Sequence, residues 1–169
     1  MSAAMHAEYK KHIEPLLGLY IWDVRIVTGS ILNAEFGDPH LMVREPVASG
    51  SELKRGRAAA NRRVYPAGLW HLSFGDSDWE IVTVNGMVNS FTYNRNDKDH
   101  AEILRDLSGQ KFLSTTFDSG TEKLTMQFDL GGIFTAAFNA ESDTLFDLYD
   151  KLDKHIFSCE RNHKGRPQI

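Results

Sequence analysis

Cysteine is almost missing from this sequence: Cys159 stands alone, which excludes an internal disulfide and any cysteine-rich zinc site and fits a reducing compartment. No stretch approaches the roughly 18 apolar residues that a membrane span requires. The opening residues, Met1 to His6, lack a cationic segment followed by an apolar one. Neither export nor membrane insertion is expected, and a cytoplasmic location is. The phosphate-cradling patterns G-x-G-x-x-G and G-x-x-x-x-G-K-[ST] are absent, as are H-E-x-x-H and G-x-S-x-G. That removes those families alone, because catalytic groups gathered from distant loops leave no contiguous trace. No cofactor and no metal are expected. Positive charge is in deficit, with 19 Lys and Arg against 23 Asp and Glu and a net charge of -4. A whole-surface affinity for nucleic acid or anionic lipid is therefore disfavoured.

Apolar material is plentiful. Hydrophobic residues make up 41% of the 169 positions and aromatics 11%, ten of them Phe, enough to bury one core and offset chain entropy. A single domain spanning residues 1–169 follows. Period-two alternation dominates, the sign of strands with one buried face. Leu32, Ala34 and Phe36 alternate with Asn33 and Glu35, and Leu124, Met126 and Phe128 alternate with Thr125 and Gln127.

Those two strands resemble copies at a constant offset of 92 residues. The same offset sets Tyr20 beside Phe112 and Leu41 beside Ile133; farther on, Trp70 and Leu72 match Phe146 and Leu148, and Ile81 matches Phe157, at an offset of 76. Two pseudo-repeats, about 4–93 and 94–160, are predicted, with a basic insertion at about 47–62 in the first. Asn96 reads as the cap of a helix with acidic first-turn residues Asp97 and Asp99, an apolar face of Ile103, Leu104 and Leu107, and a stop at Gly109. A weaker helix covers about Ala4 to Ile13, ended by Pro15. Asn85-Gly86 reads as a type I′ hairpin turn between Trp79–Val84 and Met87–Tyr93. The expected fold class is α+β: a mainly antiparallel, strongly curved sheet or two packed sheets, with two flanking helices and an internal helix-plus-meander duplication.

His71 lies in a patterned strand, between Trp70, Leu72 and Phe74 and near Asp76 and Asp78. As chemistry, it would be a general base oriented by one of these carboxylates. As structure, it is an outward strand histidine beside a polar turn, and the structural reading is preferred. Asp97, Asp99 and His100 would suit a metal on one helical turn, yet helix capping explains the two acids without one. Lys54, Arg55, Arg57, Arg62 and Arg63 crowd the insertion, which has no alternation to bury and no counterpart in the second half. Asp143, Asp147 and Asp150 sit in an acidic run without calcium-loop spacing. These two charged segments are the candidate partner-binding residues.

From Gly29 to Pro46 the chain reads Gly-Ser-Ile-Leu-Asn-Ala-Glu-Phe-Gly-Asp-Pro-His-Leu-Met-Val-Arg-Glu-Pro, with Arg62-Arg63-Val64 and Gly68-Leu69-Trp70-His71-Leu72 following. This resembles a group of small, uncharacterised bacterial proteins, over most of the chain from Leu17 to Gly132. The resemblance implies no activity and no site residue. The leading expectation is a non-enzymatic protein that binds another protein, of immunity or regulatory-inhibitor type. One alternative is a hydrolase or nuclease-like enzyme with a site between the repeats, using His71 with Asp76 or Asp78. Another is a nucleic-acid adaptor acting through the basic insertion, a minority view because no aromatic residues are interleaved to stack bases.

Overall fold

The computed structural model describes residues 3–46, 61–75, 77–139 and 143–160. In chain order these form α1 (Ala3–Ile13) and a 3₁₀ turn (Glu14–Leu16), then β1 (Ile21–Ile26), β2 (Leu32–Phe36), β3 (His40–Arg44), β4 (Arg63–Ala67), β5 (Trp70–Phe74), β6 (Ser77–Thr83) and β7 (Gly86–Asn89). The helix α2 (Lys98–Leu107) precedes β8 (Phe112–Asp118), β9 (Lys123–Phe128), β10 (Ile133–Phe138), β11 (Thr144–Asp150) and β12 (His155–Glu160). The protein is α+β: two five-stranded antiparallel sheets, ordered β1-β2-β5-β11-β12 and β7-β6-β10-β9-β8, with a separate β3–β4 hairpin. Among the described residues, no helix is long and apolar enough to cross a membrane.

The alternating residues meet between the sheets. Leu32, Ala34 and Phe36 of β2 and Leu72 and Phe74 of β5 face Leu124, Met126 and Phe128 of β9 and Phe134 and Ala136 of β10 in one buried cluster. Phe74 meets Phe134 with ring centroids 4.4 Å apart, which joins the sheets at their centre. At one edge the backbone sews them together: the Gly18 amide donates to Phe112 O at 2.7 Å, the Phe112 amide to Leu19 O at 2.9 Å, and the Ile21 amide to Gln110 O at 2.9 Å. Cys159 is fully buried, and burial pushes its thiol up to about 12, so it is an inert core residue at neutral pH.

Each helix seals an end through its apolar residues. α1 buries Tyr9 and Ile13, the following 3₁₀ turn (Glu14–Leu16) contains Pro15, and the Tyr9 hydroxyl hydrogen-bonds Thr115. α2 buries Ile103, Leu104 and Leu107 and stops at Gly109, whose φ of +91° suits glycine. Its cap is one residue later than the sequence suggests. Asp97, not Asn96, accepts the Asp99 amide at 3.0 Å, and Asn96 instead donates its own amide to Asn94 at 3.0 Å. The β6–β7 turn also differs. Thr83 pairs with Gly86, so Val84 and Asn85 are the central residues, and only Gly86, at φ +140°, has positive φ there.

Read from β8, the second sheet runs β8-β9-β10-β6-β7, position by position the counterpart of β1-β2-β5-β11-β12. The offset of 92 therefore matches β1 and β2 to β8 and β9, but not the strands that follow. By position in the sheet it is β5, not β3, that stands where β10 stands, and β6, not β5, that corresponds to β11. Alternation alone cannot separate these choices, because every inward strand presents the same pattern. The segment without a counterpart is the whole β3–β4 hairpin, and residues 47–60 at its tip lie outside the described residues.

A candidate functional cleft on the outer face of one sheet

β2 places Glu35 on the face opposite the core, where an acid ordinarily meets water, yet Glu35 is only 4% exposed. Its neighbours there are His71, Arg25 and the Gly68 amide just beyond β4. Along β3 and β4 Leu41, Val43, Val64 and Pro66 face solvent, while Met42, Arg44, Arg63, Tyr65 and Ala67 face a cleft of about 270 Å³ whose floor includes Arg25, Glu35 and His71. His40 anchors the hairpin's base by donating from Nε2 to Lys151 O at 2.8 Å.

Register sets the pair at the centre. Glu35 is the cross-strand partner of His71, and His71 of Tyr149. His71 Nδ1 lies 2.8 Å from Glu35 Oε1, and the Gly68 amide donates to Glu35 Oε2 at 2.9 Å. Gly68 is required for this approach: a Cβ there would sit 2.6 Å from Phe36 O and 2.9 Å from Phe36 N, which are backbone atoms that cannot yield. A bulge in β1 at Asp23, φ +48°, shifts the phase so that Arg25 projects outward, its Nη2 4.0 Å from Glu35 Oε1 and its guanidinium paired with Asp23.

Burial alone would raise the pKa of Glu35. The His71 hydrogen bond, the Gly68 amide and the nearby charges of His71 and Arg25 outweigh it and hold the carboxyl below its ordinary value. An ionised carboxylate only accepts, so Nδ1 of His71 carries the hydrogen, and the lone pair of the neutral ring lies on Nε2. Nε2 has no hydrogen-bond partner among the described residues. Tyr149, 5.7 Å from the His71 ring, is held protonated by burial and by Asp147 and Asp153.

The wall opposite is cationic. Arg44 and Arg63 are directly paired across β3 and β4, an arrangement of like charges that costs stability, and neither forms an ion pair among the described residues. Lys151, Asp150 and Asp153 also line the cleft, and Asp150 Oδ1 accepts from the Leu152 amide at 2.9 Å and the Lys154 amide at 3.1 Å.

The residues singled out from sequence divide as follows. His71, Arg63 and Asp150 converge on this cleft. Arg62 points away into a surface pair with Glu45 at 2.9 Å. Asp143 precedes β11. Asp147 bonds Ser158 at 2.5 Å, and His155 Nε2 approaches both of them, at 2.8 Å and 3.4 Å. One nitrogen serving both partners cannot relay a proton between them, so this trio lacks triad geometry. Asp78 is on the outer face of the other sheet, paired with Ala137, and does not orient His71; Glu35 does. Asp76, Lys54, Arg55 and Arg57 lie outside the described residues. Between the sheets, core side chains among the described residues line a cavity of about 10 Å³. Asp97 caps α2, and no metal-holding group of three or more His, Cys, Asp or Glu occurs among the described residues. Arg25, Glu35, Arg44 and Tyr65 escaped sequence reasoning, because alternation gives a covered outward residue the same signature as a solvated one.

Fold and cleft together define the class: an α+β protein of two packed antiparallel sheets, with a polar cleft roofed by a hairpin on the outer face of one. Comparison with models of protein families, with curated proteins and with solved structures gives no match to the chain.

Proposed function

We propose that this protein binds a small anionic molecule, a carboxylate or phosphate, in the cleft beneath the β3–β4 hairpin. The observation that carries this reading is the Arg44–Arg63 pair. Two arginines are cross-strand partners in a hairpin, both line one cleft, and neither forms an ion pair among the described residues, although Asp150 and Asp153 line the same cleft. A guanidinium presents a planar fork of donors that suits both anions. The cleft is just below the usual range for small-molecule sites, which favours a ligand of metabolite size over a polymer. Calorimetric titration with succinate and with inorganic phosphate tests this. Binding of at least one is expected, weakened about tenfold by Arg44→Gln and by Arg63→Gln, as for loss of a charge-assisted hydrogen bond worth about 1.5 kcal/mol. The same affinity in the wild type and in both variants would refute it.

A second reading is the binding of another protein, as an immunity-type or regulatory inhibitor. One observation favours it: Leu41 (71% exposed), Val43 and Val64 lie together on the hairpin's outer face, with Val43 opposite Val64, and clustered exposed apolar groups mark interaction surfaces. Val43→Asp with Val64→Asp is expected to abolish co-purification of a partner from the native host while leaving the circular dichroism spectrum unchanged. Retention of the same partner by the double variant would remove this reading.

A further inference from the structure

We propose that the cleft is the active site of a hydrolase for small esters that carry an anionic group, with His71 as general base. This rests on the anion-binding reading above and adds a reaction to it. Three observations lead there. The first is the pinned imidazole: Glu35 holds Nδ1 at 2.8 Å and leaves Nε2 as the basic nitrogen of a ring that lines the cleft, the arrangement by which a carboxylate fixes the tautomer of a base and stabilises the imidazolium it becomes. The second is the expense of Glu35. A carboxylate this deeply covered is costly to keep ionised, and while one oxygen accepts from the Gly68 amide, the other is given to His71. The third is the lining itself. No Ser, Thr or Cys is among the described residues that line the cleft, and the attack is therefore assigned to water activated by His71.

In the reaction, the substrate's anionic end is held by Arg44 and Arg63, and the ester carbonyl lies over His71 and Arg25. His71 Nε2 takes a proton from a water as its oxygen forms a bond to the carbonyl carbon, and the Arg25 guanidinium stabilises the resulting oxyanion. The C–O bond to the leaving alcohol then breaks, and the imidazolium returns its proton to the departing oxygen. Ester and water become acid and alcohol, with no oxidant or reductant required. His71 is the catalytic residue. Glu35 is a positioning residue that acts through it.

The experiment follows hydrolysis of the 4-nitrophenyl monoester of succinate beside the neutral 4-nitrophenyl butyrate, with succinate binding measured on the same preparations. The wild type is expected to prefer the anionic ester. His71→Gln should lower kcat about 100-fold, within the range for loss of a general base, with succinate affinity and circular dichroism retained. Arg63→Gln should raise KM for the anionic ester about tenfold and so narrow its preference over the butyrate ester. Glu35→Gln should lower kcat with little change in KM and displace the acidic limb of the pH–rate profile, which a merely structural role would not do. Arg62→Gln, outside the cleft, should match the wild type. Succinate binding with identical turnover by wild type and His71→Gln would overturn the hydrolase and leave the anion-binding reading intact. Failure to bind succinate or phosphate, together with no preference for the anionic ester, would overturn both.

Discussion

Phe74→Ala is expected to destabilise the protein by about 3–5 kcal/mol, the range for truncating a buried phenylalanine. Phe74 is 1% exposed. Its ring touches Phe134 of the opposite sheet, with centroids 4.4 Å apart, and Phe146 of its own sheet at 5.7 Å. Truncation therefore opens a void where the sheets meet, walled by strands from both and unable to collapse without moving them. At about 2–4 °C per kcal/mol for a chain of this size, the melting temperature should fall by roughly 10 °C. In urea the midpoint should drop with an unchanged slope, since the surface exposed on unfolding is nearly the same. A loss below about 1 kcal/mol would mean that the sheets are not clasped at this point.

Glu35→Ala is expected to cost roughly 2 kcal/mol at neutral pH, because it strands the Gly68 amide and His71 Nδ1 without an acceptor, and half-buried His71 can recover part of the loss from water. The pH dependence is more telling than the size. Glu35 titrates below its ordinary value of 4.5 in the folded protein. Its contribution to stability is thus fully present above that ordinary value and is lost as the pH falls through the lower, folded one. Wild-type stability should decline over that acidic interval, and Glu35→Gln, which retains an acceptor for Gly68, should lack this part of the decline. Parallel acid limbs in the two proteins would show that Glu35 is not held ionised by its neighbours. Gly68→Ala should disturb the same site from the backbone side, since its added methyl group would meet Phe36 O and N.

Much of the architecture was legible from local pattern. The alternation in β2 and β9 placed Leu32, Ala34, Phe36, Leu124, Met126 and Phe128 in the core, where they lie. The stripe of Ile103, Leu104 and Leu107 with Gly109 beyond it marked α2 and its end. The cap and the β6–β7 turn were each misplaced by a residue, because Asn96 and Asp97 both suit a cap and Asn85-Gly86 suits more than one turn.

The site was harder to read, for a physical reason. His71, Arg63 and Asp150 were identified one at a time, but what unites them is long-range register, with β5 between β2 and β11, and the folding of the β3–β4 hairpin back over the sheet. Neither leaves a trace in a window of ten residues. Glu35 shows this most clearly. Its local pattern is that of a solvated strand residue, and only long-range pairing makes it a buried carboxylate with a histidine 2.8 Å away and the Gly68 amide on its other oxygen. Proximity in sequence pointed instead to Asp76 and Asp78, and Asp78 faces the opposite side of the molecule.

The measurement that bears most directly on the cleft is a heteronuclear NMR titration of the full chain with succinate. Chemical-shift changes should concentrate at the Arg44, Arg63, Gly68 and His71 amides and at the His71 ring nitrogens, and should saturate together. Saturable shifts confined to other surfaces, or none at millimolar succinate and millimolar phosphate, would contradict an anion site built on the Glu35–His71 pair and roofed by the hairpin.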